Sequence, residues 1–543
     1  MKLTARFIQA ILMLTVILAG CRGKPDQPPE QEMQRAQSVR APGAKKVVLI
    51  VADSLMSPSI DEGIREGRLP SFRYLIDRGK YYKDFVSSFP TMSVTIDSTI
   101  VTGAYPDRHR VPGLAWYSEA ERRVVNYGTG PMEAARTGAS RVLLDLLSGL
   151  NGKHLNPKLG TIYENLADRG LRSGSVNGLI YRGRTDHALR LPASVRVPLG
   201  LPKELKAKGP DLFAFGSLSD PMAGLENLPD GPFNKAGFNN EYAIRTAERL
   251  IESDALPDFL YVYLPDLDQK LHKKGPSDME GVVELDEQIG RLLRAFGSPE
   301  EALKQAAIIV TGDSGMSRIL PDDQRPVVDL PELLGEYDVL RPGASVTDGT
   351  QLVLAVNETM AYVHALPAGP SLGELANRFR RESRIGIVAW REAGDWVTVR
   401  RNGIEGELRF KRTGKWTDPY GQSWTWKGNP EVLDLEVDGN RIRFGEYPDA
   451  MQRLFSALSS HSGTYLVATS APGYELAAHS SPTHAGGGGH GSLHRAESLV
   501  PVIVCGTNVL PERHRLVDLK SYILGLFPVT EPRAADSSGR AAR

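Results

Sequence analysis

Two rhythms of apolar residues alternate along the chain. Continuous apolar runs occupy Val47–Val51, Phe259–Leu264, Ala306–Val310 and Leu499–Val504. Runs without a polar face predict strands buried on both sides, the mark of a parallel sheet with helices on each face. Between them the period lengthens to that of a helix. Phe72, Leu75 and Ile76 fall on one face behind Pro70, and Ile96, Ile100 and Val101 on another. Thr161-Ile162-Tyr163-Glu164 reads as a capping box whose helix ends at Gly170, with a strand following over 171–180. Val282, Val283, Leu285, Ile289, Leu292, Leu293 and Phe296 share one face of a long cover helix, whose acids Glu284, Asp286 and Glu287 read as its solvated side. The alternation predicts an α/β fold, a doubly wound sheet.

The pattern breaks over 366–455. A helical stretch over 372–379 gives way to short β-type segments, including Trp396–Val399, Ser423–Trp426 and 433–444 with an Asp438-Gly439 hairpin signal. Five of the six tryptophans lie here, which predicts a small β-rich insertion with its own core. The α/β core is then divided into 45–365 and 456–530.

The ends differ again. Lys2 and Arg6 precede an apolar run from Phe7 to Leu18, too short for a comfortable membrane span and shaped like a secretory signal over 1–20. Residues 21–44 are rich in Pro, Gln and charge and predict a flexible tether; 531–543 predict a disordered tail. Lys+Arg and Asp+Glu both number 65, so bulk charge gives no reason to expect a nucleic-acid partner. With two cysteines, Cys21 and Cys505, there is no disulfide framework; Cys505 sits in an apolar run and reads as core. Nothing in the sequence fixes the oligomeric state.

Candidate chemistry clusters at the ends of the strand runs. Asp53, Asp313 and the pair Asp266 and Asp268 each follow one, where open α/β sheets place their ligands. Asp268 and His272 are four apart, so on a helix both reach one ion, and an Asp with a His suits zinc. A glycine run, Gly486–Gly489, presents His490, with His484 and His494 nearby. Residues 85–114 carry a dense hydroxyl run, Thr91, Ser93, Thr95, Ser98 and Thr99, leading into a helix. A hydroxyl at a helix mouth meets unpaired N–H groups that hold a phosphate oxyanion, although on spacing alone the run is also an ordinary N-cap.

Together, Pro90-Thr91-x-Ser93, Thr102-Gly103-x-Tyr105-Pro106-x-x-His109, Asp-x-x-x-His at 268–272, Thr311-Gly312-Asp313-Ser314-Gly315-Met316 and His490-Gly491 resemble the type I phosphodiesterase/nucleotide pyrophosphatase branch of the alkaline phosphatase superfamily. The resemblance implies an alkaline-phosphatase-like core and an exported phosphoric ester hydrolase with two divalent ions, zinc by preference. It makes Ser93 the nucleophile, attacking phosphorus to give a phosphoserine. Asp268, His272 and His490 would hold one ion; Asp53, Asp313 and Ser93 the other. Asp266 is kept as a residue supporting the ligands. Leu18-Ala19-Gly20-Cys21 resembles a bacterial lipobox, implying a lipid on Cys21 that anchors the protein to a membrane of the cell envelope, facing the periplasm or exterior.

Three departures qualify the resemblance. Ser54 follows Asp53 where the family usually has glycine. Ser314 stands where it has a metal-binding histidine; His484 or His494 could substitute, or the second ion could be a harder one. Leu114 replaces an asparagine that contacts the phosphoryl group. The alternatives are a non-catalytic member that binds a phosphorylated ligand, and a phosphotransferase of the envelope.

Overall fold

The apolar runs pair into a seven-stranded sheet in the computed structural model, which describes residues 29–41, 43–225 and 228–527. Its strands are β1 (Lys46–Ala52), β2 (Lys80–Val86), β3 (Ser173–Val176), β4 (Leu212–Ala214), β5 (Phe259–Leu264), β6 (Ala306–Gly312) and β7 (Leu499–Cys505). Their order across the sheet is β2-β7-β6-β1-β5-β3-β4, with only β7 running antiparallel to its neighbours. The strand expected over 171–180 shortens to β3.

Alternate residues of each strand feed two cores. Val48, Ile50, Leu260, Val262, Ile308 and Val310 pack on one face. Val47, Leu49, Val51, Tyr261, Tyr263 and Ile309 pack on the other. The first face is covered by α1 (Pro29–Ala36) and α4 (Glu280–Ala295), and the second by α2 (Ser93–Thr102). Helices on both faces make the fold the doubly wound α/β class. Helix α3 (Asp266–Lys274) leaves the end of β5. The capping box at Thr161 forms, with the Thr161 and Glu164 side chains each bonding the other's backbone N–H. Cys505 is buried and free. Among the described residues no helix is long and apolar enough to cross a membrane.

Three expectations need correction. Residues 29–40 are not a free tether. Met33 and Ala36 of α1 are buried in the first core, the Arg35 guanidinium donates to the Asp211 carbonyl, and Ser38 Oγ donates to Asp258 at 2.5 Å. Two apolar residues three apart suffice to dock one short helix but leave no readable period. Asp286 is not on a solvated side. It is buried and accepts the N–H groups of Ser71 and Phe72, at 3.1 and 2.7 Å, at the start of helix Pro70–Arg78. The β-rich region is wider than 366–455. Its nine-stranded sheet begins at Leu352–Asn357 and Met360–Ala365 and takes Tyr465–Ser470 as an interior strand. Those strands are apolar on both faces, like the first sheet's, so periodicity could not separate them. The hairpin at Asp438 forms, with Asp438 paired to Arg441. The signal segment, Cys21 and the tail at 531–543 lie outside the described residues.

Candidate active site

Strands β6, β1 and β5 are adjacent and parallel, with Ala52 level with Gly312 on one side and Leu264 on the other. The acids that follow them therefore emerge side by side. Asp53 and Asp313 are each one residue past this level, and Asp268 is in the first turn of α3.

Ser93 is the first residue of α2, and its Oγ lies 3.5 Å from Asp53 Oδ1. Thr95 and Ile96 N–H both return to the Met92 carbonyl, which leaves the Ser93 and Val94 N–H groups as the helix's open donors. Asp53 Oδ2 accepts the Tyr263 hydroxyl at 2.5 Å. Asp313 Oδ1 accepts the N–H groups of Ser54 and Ser314 at 2.9 and 2.7 Å. Its Oδ2 is buried with no hydrogen-bond partner.

On the α3 side, His272 Nε2 is 3.2 Å and His490 Nε2 3.3 Å from the same Asp268 oxygen. Both imidazoles are oriented from behind: His272 Nδ1 lies 2.8 Å from the Gly488 carbonyl and His490 Nδ1 2.5 Å from that of Thr91. With Nδ1 donating, Nε2 is the nitrogen left to ligate in the neutral ring, as in a metal-ligating histidine. The loop that carries His490 lies against α3 so closely that a Cβ on Gly487 would stand 1.9 Å from the His272 carbonyl. The glycine run thus serves close approach more than left-handed backbone; within 486–489 only Gly486 has a positive φ. Gly491 N–H donates to Thr91 Oγ1 at 2.7 Å and joins this loop to the hydroxyl run.

The carboxyls beside Ser93 oppose one another, while those beside α3 are paired with imidazoles. Burial, then Asp313 and Asp268, push the Asp53 carboxyl well above the usual range. Burial likewise raises Asp313. Burial would raise Asp268 too, but His272 and His490 hold it well below its ordinary value. Burial would lower both imidazoles, yet Asp268 and Glu358 carry His272 up to about 10, and Glu358 and Asp268 carry His490 up to about 9. Two facing buried carboxyls, an orphaned carboxylate oxygen and a His–His–Asp triad whose ligand atoms lie within 4.8 Å of one another suit divalent cations.

Other expected residues fall elsewhere. Asp266 points away: it accepts Lys235 Nζ at 2.7 Å and the Asn240 N–H at 2.8 Å, so it does not support the ligands. His494 is also outside, 3.2 Å from Glu446 and accepting the Ala496 N–H. His484 stacks on His272 with ring centroids 4.2 Å apart and bonds Glu475. Ser314 is where the motif puts it, fully buried, but its Oγ meets Ser54 Oγ at 3.1 Å. Leu114 packs against the second core and offers no side-chain donor.

The sequence reading missed Tyr263, Glu358 and the role of Ser54. Ser54 has φ +59°, the conformation a glycine would take there, and its Oγ donates to Asp268 at 2.9 Å while its N–H serves Asp313. The Asp-Ser pair was the only signal available.

The sequence profile of the type I phosphodiesterase/nucleotide pyrophosphatase family matches residues 47–369, more than half of the chain. The chain belongs to this family. Its membership supports phosphodiesterase or pyrophosphatase activity, a phosphate-ester substrate and the divalent-metal dependence typical of the family. Among solved structures, murine ectonucleotide pyrophosphatase/phosphodiesterase 5 superposes with a TM-score of 0.51 at 13% identity, covering 89% of this chain and 95% of that one. The human protein of the same name gives 0.50 at 13%, covering 89% and 94%. An inactive variant of the murine protein, in complex with AMP, gives 0.51 at 13%, with the same coverage as the human one. At such identity the likeness establishes the fold of the phosphodiesterase family and no more. No curated protein matches the chain in sequence.

Proposed function

We propose that the chain is an exported, metal-dependent phosphoric ester hydrolase that uses Ser93 Oγ as nucleophile and passes through a phosphoserine. The observation that carries this reading is the meeting of Ser93, Asp53, Asp313, Asp268, His272 and His490 at one end of the sheet. Asp268, His272 and His490 would hold one divalent ion, and Asp53, Asp313 and Ser93 a second. Bound there, the ions supply Lewis acidity that makes a serine hydroxyl a competent nucleophile, and positive charge opposite the phosphoryl oxygens. The protein does the rest. Tyr263 fixes Asp53, which accepts the Ser93 hydroxyl and aims it. The open N–H groups at the start of α2 face the phosphoryl oxygens. The Oγ–P bond forms as the bond from phosphorus to the leaving oxygen breaks, and the hydroxyl proton is lost to solvent. Water then attacks phosphorus, the Oγ–P bond breaks to release the phosphate, and Oγ regains a proton from the attacking water.

Ser314 favours a second reading, a protein that binds a phosphorylated ligand without turning it over, because a serine hydroxyl is a poor ligand for zinc. Hydrolysis of an aryl phosphodiester by the metal-replete protein, measured before and after chelation, separates the two. Activity that chelation abolishes and added Zn²⁺ restores is expected. A metal-replete protein that binds phosphate but releases no aryl alcohol contradicts the hydrolase. Release of the alcohol with the phosphoryl label passed to an added acceptor would make it a transferase.

Export and anchoring rest on the charged start, the apolar run and Leu-Ala-Gly-Cys21. In a bacterial host the chain should incorporate labelled palmitate, and Cys21→Ser should not; equal labelling contradicts the anchor.

A further inference from the structure

Glu358 belongs to none of the motifs, yet its carboxylate stands beside two of the candidate ligands. It is the first corner of the two-residue turn between Leu352–Asn357 and Met360–Ala365, whose closing pair is Asn357 and Met360. Its φ is +57°, where such turns favour glycine or asparagine over a long side chain. The surroundings hold it there. Thr359 N–H donates to the His490 carbonyl at 3.2 Å and Leu476 N–H to the Glu358 carbonyl at 2.8 Å. A Cβ on Gly491 would stand 2.4 Å from the Asn357 carbonyl. A side chain kept in an unfavourable backbone conformation by its neighbours is commonly one retained for function.

The side chain turns inward. Oε1 is 3.6 Å from His272 Nε2, Oε2 accepts the His490 N–H at 3.2 Å, and the group is 13% exposed. His484 completes the arrangement, stacked on His272 and oriented by the fully buried Glu475, whose oxygen is 3.2 Å from His484 Nδ1. Ligand atoms of His272, Glu358 and His484 lie within 4.8 Å of one another, as do those of Asp268, His272 and His490. His272 Nδ1 is engaged by the Gly488 carbonyl, so only Nε2 is free to ligate. The two triads therefore share one nitrogen and are alternative seats for one ion.

Resting on the reading that a cation sits against Asp268, His272 and His490, we propose that Glu358 and His484 are further ligands of that same cation, giving it a second seat displaced toward the nine-stranded sheet. Two imidazoles and a carboxylate are a donor set suited to Zn²⁺.

The test is the zinc affinity of the full chain, by competition with a chromogenic chelator, together with the visible spectrum of the Co²⁺-loaded protein. The proteins compared are the parent, Glu358→Gln, Glu358→Gly and His484→Phe, the last of which keeps a ring against His272. Glu358→Gln and His484→Phe are expected to weaken zinc binding about tenfold or more and to alter the Co²⁺ bands. Glu358→Gly, in which glycine accepts the left-handed corner but the His490 N–H loses its acceptor, is expected to bind zinc as weakly as Glu358→Gln, and zinc binding as tight as the parent's in this variant overturns the proposal. Unchanged zinc affinity and Co²⁺ bands in both Glu358→Gln and His484→Phe overturn it with the hydrolase reading intact. A parent that binds neither metal overturns both.

Discussion

Two serines, Ser54 and Ser314, stand where the family pattern has a glycine and a histidine, and their hydroxyls touch at 3.1 Å. Ser54 links Asp268 to Asp313, so a pair of hydroxyls lies between the two groups of candidate ligands. The six main candidates were readable because each stands in a motif at the end of an apolar run or loop. Tyr263 and Glu358 were not, because one is an ordinary strand aromatic and the other an ordinary turn acid. Only the register of β5 and the turn at 357–360 bring them to the cluster. Asp97, in the middle of α2, shows burial outweighing the hydrogen bonds a carboxyl receives. It accepts the Tyr261 hydroxyl and the N–H groups of Leu179 and Ile180, and burial pushes it up to about 7. A folded-state value above the unfolded one means that the folded chain binds the extra proton between about pH 4 and 7. Stability from this group is therefore present at low pH and lost as pH rises through 7. Relative to the parent, Asp97→Asn should become progressively more stable across that window, on top of a pH-independent loss of one hydrogen bond. Melting temperatures of both proteins from pH 4.5 to 8 test this; a constant difference contradicts it.

At the scale of elements, the strands were the legible part. Their apolar runs are long, and the acids that end them mark the sheet's functional edge. Elements fixed by a few contacts were not legible: α1 docks through Met33 and Ala36, and helix Pro70–Arg78 takes its N-terminal acceptor from Asp286, more than two hundred residues away. A charged residue on a cover helix reads as solvated until the partner helix is in place. Asp286→Ala should leave two N–H groups without an acceptor and cost about 1–3 kcal/mol in urea unfolding, with no change in metal content. An unchanged midpoint would show that water serves these groups as well.

At the scale of the molecule, two sheets meet at the cluster. The first supplies Asp53, Asp268 and Asp313 from adjacent strand ends; the second supplies Glu358 and, through the turn at 357–360, holds the His490 loop. The buried Arg453 guanidinium joins the same parts, donating to the Ser88 carbonyl at 2.9 Å and Ser498 Oγ at 2.8 Å. The nine-stranded sheet is thus part of the frame of the site, a role that its aromatic content alone did not reveal. The most direct test is mass spectrometry of the metal-replete protein, acid-quenched during turnover of an aryl phosphodiester. A phosphoryl adduct confined to the peptide carrying Ser93, absent from Ser93→Ala, is the predicted result. Turnover with no adduct on Ser93 and undiminished activity in Ser93→Ala would contradict it.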